Sequence, residues 1–92
     1  MPLQVELVAA DRLVWSGVAS SVSARTIEGD IGVLPGHTPV LAILAEGEVR
    51  IDPVEGAAVV AHAGGGFLSI ERDRVTIVSE NASMASAGGT PT

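Results

Sequence analysis

Neither cysteine nor lysine occurs anywhere in this 92-residue chain. Without cysteine there is no disulfide, no thiol nucleophile and no thiolate-ligated zinc. Without lysine there is no Schiff-base chemistry and no P-loop lysine to meet a nucleotide's phosphates. Tyrosine is absent too, and the only aromatics are one Phe and one Trp. Any core must therefore be filled with Val, Ile, Leu and Ala. β-Branched residues lose little side-chain freedom on a pleated surface, so this composition points to strands. Positive charge is equally scarce. Five arginines stand singly at Arg12, Arg25, Arg50, Arg72 and Arg74, and the net charge is −6. Nucleic-acid binding rests on cationic neutralisation of phosphates, which nothing here supplies. The same deficit disfavours docking on an anionic membrane surface. No apolar run approaches the roughly 18–20 residues that span a bilayer, and no signal-type segment opens the chain. The expectation is one soluble, acidic, cytoplasmic domain with no direct membrane insertion, held at any membrane only by a protein partner.

What the chain does have is alternation. Leu3, Val5, Leu7 and Ala9 occupy every second position of "LQVELVAA", the period of a half-buried strand. "VASSVSAR" alternates again, as do Val49 and Ile51 with Glu48 and Arg50. Val40 to Leu44 is apolar on both parities, as expected of a strand covered on both sides. Breaks fall at Asp11-Arg12, Ser16-Gly17, Glu46-Gly47, Asp52–Gly56, Gly64–Gly66 and Arg72-Asp73. The resulting eight or nine short strands, spaced by roughly 8–12 residues, predict an all-β sandwich or barrel. No window carries a helical stripe. From Asn81 the composition turns small and polar, so 1–81 is expected to be the domain and 82–92 a disordered tail.

The chemistry-bearing candidates are few. "EGDIGVLPGHTP", Glu28 to Pro39, sets His37 within loop reach of Asp30, and such a pair can act as a general base. No nucleophile accompanies it. His37 and His62 with Asp30 or Asp52 offer metal-ligand types without metal-ligand spacing. The three glycines from Gly64 precede a strand-like segment rather than a helix, which favours a bulge or a close backbone approach over a phosphate cradle. No G-x-S-x-G elbow occurs. No catalytic, cofactor-binding or metal residue is therefore assigned. The other use of the stretch is as a docking loop, its glycines permitting sharp turns and Pro35 and Pro39 stiffening the path.

"EGDIGVLPGHTPVLAIL", then "GEVRI", then "AHAGGGFLSIERDRVTIVSE", match in order and spacing the pattern of a known family. The chain resembles the epsilon subunits of bacterial F-type ATP synthases over their N-terminal domain, from about Leu3 to Ala82. The resemblance implies a β-sandwich of about ten strands with no helical C-terminal domain. It also implies a noncatalytic central-stalk rotor subunit that binds gamma and the c ring, coupling proton translocation to ATP synthesis without a cofactor. Such a subunit lies peripherally at the cytoplasmic face of the bacterial cell membrane. By the same resemblance Glu28, Gly29, Asp30, Ile31 and Gly32 face the c ring, whose loops carry an arginine in the family, so Asp30 is the candidate for a charge-assisted contact. Pro35, Gly36, His37, Thr38 and Pro39 lie near gamma. Many members continue into a C-terminal helical pair that inhibits hydrolysis. The final twelve residues here have no helical pattern, so inhibition by helix extension is not expected. Asp30 stands where glutamate is frequent, and Ser69 where the family often has glutamate. The alternative is a small standalone β-sandwich that binds metal or acts as an enzyme through His37 and His62.

Overall fold

A computed structural model describes residues 2–87. Among them there are seven strands and no helix: β1 (Leu3–Ala9), β2 (Leu13–Thr26), β3 (Gly29–Val33), β4 (Val40–Pro53), β5 (Val59–Glu71), β6 (Arg74–Ser79) and β7 (Ala82–Ala87). The all-β expectation holds, but the count is seven rather than about ten. The difference lies in β2, β4 and β5, which run for 14, 14 and 13 residues. Each passes straight through a site that reads as a break in the sequence. Ser16-Gly17, Glu46-Gly47 and Gly64–Gly66 lie inside continuous strands, and all but Gly65 keep ladder partners there.

Hydrogen bonding follows the order β1-β6-β5-β4-β2-β3, and β1 also pairs with β2, so the sheet closes on itself as a flattened barrel. The closing contact is a parallel ladder between β1 and β6, from Gln4↔Arg74 to Ala9↔Ser79. Every other ladder is antiparallel. Leu3, Val5, Leu7, Val22, Val49, Ile51, Leu68, Ile70, Val75 and Ile77 are almost fully buried in one continuous core. The period-two residues of β1 are thus the inward ones.

The φ of Gly66 is +122°, and a Cβ there would overlap the Val78 carbonyl oxygen on β6. Close backbone approach, rather than phosphate binding, accounts for this glycine.

Two further expectations are corrected. Residues 82–92 were expected to form a disordered tail, yet Ala82–Ala87 pairs with Val59–Ala63 of β5. Ala82 is 7% exposed, and its carbonyl accepts a bond from Arg12 Nη2 at 3.1 Å. Backbone ladder bonds need no large side chains, which is why small polar residues conceal this strand. Residues 88–92 of that expected tail lie outside the described residues. The second correction concerns Val40–Leu44, read as covered on both sides. Leu44 is buried, whereas Leu41 and Ile43 are 70% and 51% exposed. One side of that segment is bare.

Candidate docking surface

The stretch from Glu28 to Pro39 is not one loop but a strand between two turns. β2 reverses into β3 through Ile27-Glu28, with Thr26 opposite Gly29. Thr26 holds the turn from inside: its Oγ1 donates to the Gly29 carbonyl at 2.6 Å and accepts the Glu28 N–H at 3.1 Å. Glu28, Gly29, Asp30 and Gly32 are exposed, while Ile31 is half-buried against the core. Four of the five residues expected to face the c ring are thus on the surface, and the fifth anchors the strand.

Asp30 does not stand free. Arg25 Nε donates to its Oδ1 at 3.4 Å, across the β2–β3 ladder where the two residues are direct partners. Both side chains remain well exposed. The hairpin therefore ends in an exposed Glu28 and a solvated Arg25–Asp30 pair, not in an isolated Asp30.

At the far end of β3, about 13 Å away at strand rise, the chain turns again. The His37 N–H donates to the Leu34 carbonyl at 3.1 Å, and Gly36 has φ +86°. Pro at the second position and a positive-φ glycine at the third mark a type II turn. Pro35, Gly36, Thr38 and Pro39 are exposed and His37 is half-buried. His37 Nδ1 lies 2.7 Å from the Thr38 carbonyl. A carbonyl only accepts, so Nδ1 is the donor in this contact. The two turns separate the residues that a His37–Asp30 pair would need. Asp30 bonds to Arg25, and His37 bonds to its own loop. His62 contacts Glu46 instead, Nε2 to Oε2 at 3.5 Å. Among the described residues no group of three His, Asp or Glu side chains converges on a metal position.

Beside these turns runs an apolar strip that the sequence reading missed as a surface. Leu41 and Ile43 point outward from β4, and Phe67, 39% exposed, is the cross-strand partner of Ile43 on β5. The Ile27 N–H donates to the Ile43 carbonyl at 3.0 Å, which brings the hairpin tip and its 66%-exposed Ile27 side chain to the same neighbourhood. A shallow cleft of about 320 Å³ separates the tip from the start of β4. The signal was present in the sequence as the double-parity apolar run, but its outer side was assigned to the interior.

Two shaped turns thus flank an exposed apolar strip on one side of the domain. The family model described as ATP synthase, Delta/Epsilon chain, beta-sandwich domain matches residues 2–85, and the chain belongs to that family. The ATP synthase epsilon chain of Micrococcus luteus is 52% identical over 85 residues, covering 92% of this chain and 93% of that one. The epsilon chain of Corynebacterium diphtheriae is 55% identical over 84 residues, covering 90% of this chain and 68% of that one. Among solved structures, a chain of the Euglena gracilis mitochondrial ATP synthase, OSCP/F1/c-ring in rotational state 1, is similar with a TM-score of 0.84 at 25% identity. This chain spans 53% of its length, and the match covers 90% of this chain. A chain of the Tetrahymena thermophila mitochondrial ATP synthase central stalk/c-ring shares the fold, with a TM-score of 0.74 at 17% identity over 90% of this chain and 66% of that one.

Proposed function

We propose that this domain is a noncatalytic central-stalk subunit of an F-type ATP synthase, binding gamma and the c ring so that proton translocation is coupled to ATP synthesis. Family membership supports the assembly. The observation that carries the docking role is the bare side of Val40–Leu44. A small acidic domain with net charge −6 leaves Leu41, Ile43, Phe67 and Ile27 exposed together. A contiguous apolar surface of this kind marks a protein interface. In this reading gamma covers the strip and the adjoining Pro35–Pro39 turn, and the c-ring loops meet the acidic hairpin, Glu28 to Gly32. A cation from the ring joins the exposed Arg25–Asp30 pair or meets Glu28. The domain then resides peripherally at the cytoplasmic face of the cell membrane, through the complex alone.

The test is binding of the cognate gamma subunit by titration calorimetry, with Leu41→Ser/Ile43→Ser as the comparison. Both side chains are outside the core, so the double variant folds. It is expected to lose at least about tenfold in affinity, the scale of one or two interface anchors. Absence of a complex at micromolar concentrations of the parent chain overturns the assembly reading. Equal binding by the double variant overturns the use of the strip.

A further inference from the structure

We infer that Asp73 is the residue that positions the Pro35–His37 turn for docking. Asp73 sits on the opposite side of the domain's sequence, 37 positions on from Gly36, in the two-residue turn that joins β5 to β6. Arg72 and Asp73 have φ of 52° and 61° there, with Glu71 and Arg74 paired across the turn. Positive φ at both central residues is the twist that suits a tight hairpin, and Asp tolerates it better than most residues.

The turn uses Asp73 twice. Its main-chain carbonyl accepts the Gln4 N–H at 2.8 Å, fixing the start of β1. Its carboxylate Oδ1 accepts the Gly36 N–H at 2.7 Å. That second bond reaches the one amide that decides the shape of the Pro-Gly turn. Type I and type II turns share the same closing bond and differ by a flip of the central peptide, which here is Pro35–Gly36. The His37-to-Leu34 bond therefore permits both forms. An acceptor held against the Gly36 N–H selects one of them and with it the direction of the Pro35 carbonyl. A glycine alone would leave the turn free to flip, and a docking surface that flips gives up affinity on ordering.

The functional part of this inference rests on the docking reading above, so the experiment separates the two. Asp73→Gly keeps the backbone conformation and removes the acceptor, while Asp73→Asn keeps both an Oδ1 acceptor and tolerance of positive φ. Amide hydrogen exchange of Gly36 is measured by NMR for all three chains, with Gly64, bonded to the Asn81 carbonyl, as the internal control. Gly36 is expected to exchange about tenfold faster in Asp73→Gly, a charge-assisted bond's worth at a partly exposed site. Asp73→Asn restores it to within about threefold, with Gly64 unchanged in both. Gamma affinity follows the same order, falling about fivefold for Asp73→Gly and recovering in Asp73→Asn. Unchanged Gly36 exchange in Asp73→Gly overturns the latch. Faster exchange with unchanged gamma affinity overturns its docking role. Failure of the parent chain to bind gamma overturns the docking reading, and the exchange result decides the latch by itself.

Discussion

Replacing the three consecutive glycines of β5 one at a time by alanine is expected to give a steep gradient over three adjacent positions. Gly64 lies outside the positive-φ region, and an added Cβ would meet Asn81 Cβ at 3.3 Å, a tight contact that the exposed link before β7 relieves by shifting a few tenths of an ångström. The expected cost is under about 1 kcal/mol. Gly65 has φ +106° with nothing within 4 Å of the added carbon, so the substitution carries backbone strain alone. That is about 1–2 kcal/mol. Gly66 combines φ +122° with overlap onto the Val78 carbonyl oxygen and an approach of 2.8 Å to Ser79 Cα. Both neighbours are backbone of β6, so relief means separating the β5–β6 ladder, and the cost is at least about 3–4 kcal/mol. A domain of this length holds only about 5–14 kcal/mol in total, so Gly66→Ala removes a large share of it. At about 4–8 °C per kcal/mol, the melting temperature falls by at least about 12 °C for Gly66→Ala and by about 4–16 °C for Gly65→Ala. Thermal unfolding followed by far-ultraviolet circular dichroism measures the series. Urea titration on Trp15 fluorescence, from the chain's single half-buried indole, gives an independent stability. Equal losses at Gly65 and Gly66 would refute the close approach to β6, since strain alone would then explain both.

Removing the chain after Asn81 deletes β7, its ladder to Val59–Ala63 and the Arg12 bond to Ala82. The melting temperature is expected to fall by at least about 5 °C in a thermal scan, a few net hydrogen bonds' worth, whereas an undocked segment would leave it unchanged. Arg25→Ala breaks an ion pair whose side chains are 61% and 76% exposed. Stability in urea should change by less than about 1 kcal/mol, and the change should shrink further in high salt. In contrast, Thr26→Val removes both bonds that hold the Ile27-Glu28 turn from a buried position. A loss of about 1–3 kcal/mol in the same titration is expected, because the Glu28 N–H and the Gly29 carbonyl lose their internal partner.

Strands whose side chains alternate are legible in the sequence. β1 announces itself by the alternation from Leu3 to Leu7, and the resemblance to the epsilon family rests on residue types at fixed spacing that the family match bears out. β7 was hidden because Ala82–Ala87 contributes backbone bonds rather than bulky side chains. The long strands were divided because a glycine within a strand and a glycine turn look alike in one dimension. The candidate docking surface was half legible. The type II turn at Leu34–His37 follows from Pro35-Gly36 in the sequence, but the Asp73 carboxylate that caps Gly36 does not.

By itself the sequence determined the secondary-structure class, the inward face of β1 and the family, because these depend on side-chain period and on residue types at fixed spacing. Only the tertiary structure decided which strands close the barrel, that Arg25 already occupies Asp30, that Asp73 reaches Gly36, and which side of Val40–Leu44 is bare. Each of those facts is a meeting, or a missing meeting, between segments distant in the chain or facing each other across a ladder. Local spacing specifies a strand's period and not its neighbour, and the neighbour is supplied only when the sheet curls and β1 finds β6.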